Sequence, residues 1–250
     1  MKKLVLIFIL LLSTLSFAAK KLYVGTNAEF KPYEYLEDGK MIGFDIGVMD
    51  ELGKKLGYEI EWVNMSFDGL LPALQMKKID AVIAGMSQTP ERQKAVDFSM
   101  PYMFTKSEHY VIVNENSTFK TKEDLQGKTA GVQMGSMQEQ FAINNGSVPK
   151  LYNTFTNALM DLQNGKVDCV IIADNSGKEY LNTMDRIKKI DSIIDPKPGA
   201  SIAFRKSDKE LAEKFSDAIV ELKTTKEYSD LVEKYFPERF EDFKAQNLTK

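Results

Sequence analysis

Apolar residues recur with a helical period over residues 44–56, where Ile46, Met49, Leu52 and Leu56 share one face and Gly57 supplies a stop. Short apolar runs at 22–25 and 60–63 read as strands on either side of that helix. A helix over 68–78, a strand over 81–86 and a turn centred on Thr89-Pro90 follow. The alternation then resumes with a strand at 110–113, a polar loop at 114–117, a strand from 128 to 133 and a helix over 136–143. Further on come a helix after Asp174, a strand near 190–194 and a strand candidate at 201–204, with Asp195-Pro-Lys-Pro-Gly199 breaking the pattern between the last two. Strand and helix in alternation predict an α/β fold with a parallel sheet. Two amphipathic helices, 208–222 and 226–235, close the chain with no strand behind them, so they are expected to pack back on the first half.

One unit occurs twice. Leu74-Gln-Met-Lys-Lys-Ile-Asp-Ala-Val-Ile83 and Leu162-Gln-Asn-Gly-Lys-Val-Asp-Cys-Val-Ile171 agree at six of ten positions, each running from a helical pattern into an apolar strand. Two copies are too few for a solenoid, so the repeat predicts two similar lobes, each with a crevice at its strand ends. The boundaries expected are 19–107 with 203–250 for the first lobe and 108–202 for the second. The chain then crosses near 106–110 and near 199–204, a two-strand hinge that permits rigid-body closure.

Residues 1–18 read as a secretory signal peptide: Lys2 and Lys3 at the start, an unbroken apolar run over 4–12, and the small-residue cleavage pattern Ser16-Phe-Ala18. Nine apolar residues cannot span a bilayer. No cysteine lies near the cleavage site, so the exported chain is expected to carry no lipid anchor and to be freely soluble. Cys169 is the only cysteine of the 250 residues, which excludes an internal disulfide; within its apolar run it reads as a buried small hydrophobe. The formal charge of −3 becomes −5 once a leader carrying Lys2 and Lys3 is removed, and no basic stripe is present for nucleic acid.

Arg92 follows a strand and a turn, near Ser87 and Thr89, a setting suited to gripping a carboxylate through two parallel hydrogen bonds. A solvated surface arginine is the plainer alternative. Asp174 stands at the equivalent strand end of the other lobe, where it could accept from an ammonium group or merely cap a helix. Together they describe a receptor for a zwitterion. The helix start at Ser136 could offer further donors to an anion, and Phe30 and Phe67 sit beside turn residues where rings could flank an aliphatic stem. Catalytic readings fare poorly: His109 is the only histidine, and no Cys or His cluster, GxxxxGK[ST] loop or GxGxxG stands in the chain. No metal or cofactor is expected.

The stretches GTNAEFKPYEY at 25–35, GFDI at 43–46, SFDGLLPALQ at 66–75, AGMSQTPERQKAVDFS at 84–99, GVQMGSMQE at 131–139 and EYSDLVEKYF at 227–236 resemble those of periplasmic polar amino-acid-binding proteins, the solute-binding proteins of family 3 that serve ABC importers. The resemblance covers essentially residues 20–240. It implies a type II periplasmic-binding fold of two Rossmann-like lobes on a two-strand hinge, no enzymatic activity, and delivery of a captured amino acid to permease subunits of the inner membrane by a periplasmic monomer. It assigns the α-carboxylate to Arg92, Ser87 and Ser136, with Thr89 assisting, and the α-ammonium to Asp174 and the Gly85 carbonyl. Phe30 and Phe67 would flank the side chain; Met86, Gln133, Met137 and Gln138 fall within the matched stretches as further contacts. Met137 stands where a hydroxyl is usual, and Gly47 where an acid follows GFDI. Asn27 replaces an aspartate used against cationic side chains, and Glu34 could substitute for it. A cationic or amide side chain is thus implied, arginine first. A periplasmic dehydratase of cyclohexadienyl acids on the same fold is the alternative; such substrates need no ammonium receptor, so Asp174 argues against it.

Overall fold

The computed structural model describes residues 20–103, 108–195 and 199–247; the expected signal peptide lies outside them. The first sheet has the order β5-β1-β6-β13-β7, with β1 at Lys20–Thr26, β5 at Tyr58–Asn64, β6 at Ala81–Val82, β7 at Val96–Phe98 and β13 at Ala203–Arg205. The second has the order β10-β9-β11-β8-β12, from β8 at Glu108–Asn114, β9 at Thr129–Gln133, β10 at Val148–Tyr152, β11 at Cys169–Ala173 and β12 at Ile187–Ile194. In each, three strands run parallel, β5-β1-β6 and β10-β9-β11. The sheets are nevertheless mixed, not parallel throughout: β13 runs antiparallel to β6 and β7, and β8 to β11 and β12. Both β8 and β13 are the first strands after a crossing between lobes. They start at the edge where the parallel strands finish, so they must run the other way.

The duplicated segment has one physical cause. Helix α2 at Phe67–Gln75 leads into β6, and helix α5 at Phe155–Gln163 into β11. After each helix a residue takes the left-handed conformation, Lys77 at φ 60° and Gly165 at φ 70°. Three residues later an aspartate exchanges two hydrogen bonds with the neighbouring strand: Asp80 N–H donates to the Tyr23 carbonyl and its carboxylate accepts from Tyr23 N–H, as Asp168 does with Thr129. The repeat therefore encodes a turn that pins the chain leaving each helix to the strand beside which β6 or β11 will pair, β1 in one lobe and β9 in the other.

Helix α1, Phe44–Leu56, forms where the apolar period placed it and ends at Gly57, whose φ of 74° a side chain would strain. It buries Phe44, Val48, Met49 and Leu52 against Phe215, Ile219 and Leu222 of α7 (Lys209–Leu222) and Tyr228 and Val232 of α8 (Lys226–Tyr235). The C-terminal helices thus do pack on the first lobe. Gly47 serves this packing: a Cβ there would meet the Leu231 side chain at 2.4 Å. In the second lobe β8 is buried on both faces, Val111 and Val113 to one side and Tyr110 and Ile112 to the other, as a strand covered by helices on both sides requires.

Several elements were not anticipated, among them β7, β10 and the short helical turn Lys122–Leu125. A small antiparallel sheet joins β2 at Glu29–Phe30, β3 at Glu34–Glu37 and β4 at Lys40–Ile42; strands of two to four residues leave no readable period. A six-residue helix α3, Pro90–Ala95, replaces the expected open turn, and a last helix, Phe240–Asn247, follows α8. At the second crossing Ala200 bridges to Met103, and the Ile202 carbonyl accepts from Ser99 N–H.

Candidate ligand-binding site

The carboxyl ends of the central parallel strands carry the site, as in open α/β sheets generally. Asn27 follows β1 and Gly85 lies beyond β6; Gln133 ends β9, and Asp174, the first residue of helix α6 (Asp174–Thr183), follows β11. All four line one cavity between the lobes, with Phe30, Phe67, Ser87, Arg92, Ser136, Met137 and Gln138. Arg92 and Asp174, which sequence alone placed on separate halves, meet around the same space. At Gly85 the backbone takes φ 53°, and a Cβ would come within 2.6 Å of the Phe30 ring. Glycine is required there for both reasons.

Arg92 spans the lobes. Its Nη1 donates to the Ser87 carbonyl at 2.9 Å and its Nη2 to the Gly135 carbonyl at 3.0 Å, while the guanidinium lies 5.3 Å from the Phe67 ring centre. Two of five donors are engaged this way, which leaves capacity for an anion. Burial draws its pKa down to about 10, so it stays charged at neutral pH. Thr89 does not reach the cavity; its hydroxyl caps α3 by accepting from Arg92 N–H at 3.2 Å and so fixes the arginine's backbone.

Ser136 takes the N-cap position of helix α4, Met137–Asn144, accepting from Glu139 N–H at 3.4 Å. Its hydroxyl proton goes to the Gln133 carbonyl at 2.6 Å, so the expected donation from this hydroxyl to an anion is not available. What the helix start offers instead is the backbone N–H groups of Met137 and Gln138, which have no acceptor within the helix. This makes the missing hydroxyl at Met137 less consequential.

Other assignments change. Glu34 is 0% exposed and lies beneath the site beside Asp45, not in the cavity, so it cannot meet the tip of a ligand. Met86 is buried in the first lobe's core, and its carbonyl accepts from Ser201 N–H. Phe67 turns a face to Arg92 and Phe30 stacks on Tyr33 at 4.8 Å with the rings 7° from parallel; both phenylalanines line the cavity, Phe30 as part of a Phe30–Tyr33 platform. Asn27 is held at both ends, donating to the Met65 carbonyl and accepting from Gln133 Nε2, each at 2.9 Å.

Sequence reasoning missed Tyr33, His109 and Asn175 as lining residues. Tyr33 was legible in the Phe30-Lys-Pro-Tyr33 turn. His109 was dismissed as a catalyst, yet it faces the cavity next to Gln138, 3.2 Å away, and burial lowers its pKa to about 4, so it is neutral. Cys169 is buried with its thiol pKa pushed up to about 12, in line with an inert core residue. Among the described residues no group of three or more His, Cys, Asp or Glu could hold a metal ion, and no helix is long and apolar enough to cross a membrane.

Residues 22–238 match the model of bacterial extracellular solute-binding proteins, family 3. The chain belongs to that family. It is 38% identical over 224 residues to the arginine-binding extracellular protein of Bacillus subtilis strain 168, covering 87% of this chain and 86% of that protein. Among solved structures, an ancestral arginine-binding protein bound to arginine is 39% identical with a TM-score of 0.78, covering 86% of this chain and 98% of the other. An ancestral arginine-binding protein bound to glutamine is 38% identical with a TM-score of 0.80, covering 88% and 99%. The fold is accordingly the two-lobed type II periplasmic-binding architecture. The family is one of binding proteins and not of enzymes, and nothing among these relatives supports the dehydratase alternative.

Proposed function

We propose that the protein captures a polar L-amino acid between its two lobes and delivers it to an ABC importer, with arginine the first candidate and glutamine the second. One observation carries this: an arginine from the first lobe and an aspartate from the second line a single cavity, the charge pattern that a zwitterion matches. Arg92 with the start of helix α4 takes the α-carboxylate, and Asp174 with the Gly85 carbonyl takes the α-ammonium. The side chain lies against the Phe30–Tyr33 platform among Asn27, His109, Gln133 and Gln138. The relatives bound to arginine and to glutamine favour a long side chain ending in a planar nitrogen group. With Glu34 withdrawn beneath the site, π-faces and amide oxygens are the groups available to a guanidinium, which stacks well and presents a planar fork of donors.

Capture proceeds by closure: ligand meets the first lobe, and contacts from Asp174 and the α4 start arrive as the hinge shuts, so the ligand favours the closed form by contacts the open form lacks. The protein acts as a monomer outside the cytoplasmic membrane, after removal of residues 1–18, and hands its ligand to permease subunits. A thermal-shift screen of the twenty amino acids tests the proposal. Ligand at 100 times its dissociation constant stabilises by about 2.7 kcal/mol, so arginine or glutamine should raise the melting temperature by several degrees. No shift with any amino acid would refute it.

A further inference from the structure

Asp174 is not alone at its helix start. Arg239 Nη2 lies 2.7 Å from Asp174 Oδ2, while the Lys178 ammonium is 3.9 Å from the same oxygen. Arg239 belongs to the turn Pro237–Arg239 that follows α8, hence to the first lobe, whereas Asp174 belongs to the second. Asp174 lines the cavity and Arg239 does not, so the guanidinium reaches the carboxylate from behind.

We propose that Arg239 is a positioning residue for ligand capture: it fixes the Asp174 carboxylate from behind the cavity and supplies an ion pair that exists only when the lobes are closed. This rests on the amino-acid-capture proposal and adds to it a residue outside the cavity. The geometry is specific. A carboxylate has room for about four hydrogen bonds, and with Oδ2 committed to Arg239, Oδ1 remains for the ligand's ammonium. The turn that carries Arg239 is itself anchored. Arg239 N–H donates to the Phe236 carbonyl at 2.9 Å, and its guanidinium lies 5.8 Å from the Phe236 ring centre. Phe236 is 0% exposed and packs edge-on to Tyr33 at 5.1 Å, which stacks in turn on Phe30. The same buried ring therefore supports both the platform beneath the ligand and the arginine that sets the ammonium receptor.

The pair has little contact with solvent, with the two side chains 15% and 10% exposed, so screening is weak. When the lobes part, both groups return to water and the attraction is lost. Closure is the step it favours, and a contact made only on closure acts mainly on dissociation. A second effect opposes this one, since Arg239 withdraws some of the Asp174 charge from the ligand. The experiment reads which dominates.

The test uses the full chain, with L-arginine and L-glutamine as probes, and measures affinity, dissociation rate and the distance between a dye on each lobe. For Arg239→Gln we expect about tenfold weaker binding, carried by faster dissociation, and a longer interlobe distance in the ligand-free protein. Arg239→Lys, which keeps the charge but loses the fork, should fall in between. In an Asp174→Asn background, Arg239→Gln should change affinity by less than twofold, the signature of one interaction acting through the other. Unchanged or tighter binding by Arg239→Gln, or an equal loss in the Asp174→Asn background, would overturn the proposal. Melting of the ligand-free variants separates these outcomes from misfolding, and Arg239→Lys serves if the glutamine variant does not fold. If wild type binds none of the twenty amino acids, the capture proposal itself fails, and an interlobe distance unchanged by Arg239→Gln then also overturns the role of Arg239 in closure.

Discussion

Gln133 donates from Nε2 to Asn27 Oδ1 at 2.9 Å, joining the ends of β9 and β1 across the cleft. Both residues are buried, and the bond from Asn27 Nδ2 to the Met65 carbonyl fixes which end of the amide faces the other lobe. Replacing Gln133 by leucine would leave Asn27 Oδ1 buried without a donor, at about 1–3 kcal/mol. Because the loss falls only on the closed form, titration calorimetry should find the amino acid bound roughly ten times more weakly. Equal affinity would mean that this bond does not contribute to closure.

Arg92 makes three contributions at once: it clamps Ser87, reaches Gly135 in the second lobe and presents the positive charge of the cavity. Removing one partner of a buried charge pair costs roughly 3 to 5 kcal/mol, so Arg92→Ala should weaken binding by two to four decades. Arg92→Lys should recover little, because a point charge cannot span two carbonyls and an anion together. Calorimetry with the ligand identified by thermal shift measures both.

Beneath the site, Asp45 Oδ2 accepts from Gly85 N–H and from the Tyr102 hydroxyl, each at 2.7 Å, and the Glu34 carboxyl, kept protonated, donates to Asp45. Burial raises Asp45 to about 6, and burial together with the adjoining Asp45 charge holds Glu34 well above the usual carboxylate range. Both groups therefore bind protons more tightly folded than unfolded. Their contribution to stability is full below their unfolded values, 3.8 and 4.5, and is lost as pH rises through their folded ones. Glu34→Gln removes the need for that proton and supplies a donor toward Asp45. Its melting temperature relative to wild type should accordingly climb between pH 5 and pH 8; parallel profiles for the two proteins would count against the buried pair.

Lys77 sits at φ 60° where the second copy of the repeat has Gly165 at φ 70°. The left-handed conformation costs a side chain roughly 1–2 kcal/mol, partly offset by the greater freedom that glycine has in the unfolded chain. Lys77→Gly is thus expected to stabilise by about 0.5–1 kcal/mol, and Gly165→Lys to destabilise by a similar amount. Urea unfolding of the two variants checks the sign of each.

The parts of the site that sequence revealed were those tied to local backbone form. Asp174 at a helix start and Ser136 as an N-cap each follow from short-range rules, whereas Gly85 was implied only by the resemblance to the family, and the paired segments at 74–83 and 162–171 exposed the duplicated turn because its aspartate and its left-handed residue are both local. Glu34 was misplaced for the converse reason. It occurs in an alternating, polar-looking stretch, and only the packing of α1 and Tyr102 over β3 buries it. Arg239 escaped notice because nothing near it in the chain marks it; its partner is 65 residues away.

By itself, the sequence determined the helices with strong periods, the two-lobed α/β organisation and an aspartate at the end of a strand in the second lobe, since periodicity and turn chemistry act over a few residues; Arg92, expected at the equivalent strand end, stands instead in helix α3, ten residues beyond β6. The tertiary structure alone decided that these two face one cavity, that Gln133 reaches Asn27 across the cleft, and that Arg239 backs Asp174. Those facts depend on how two lobes close on one another, and closure is fixed by contacts between residues far apart in the chain.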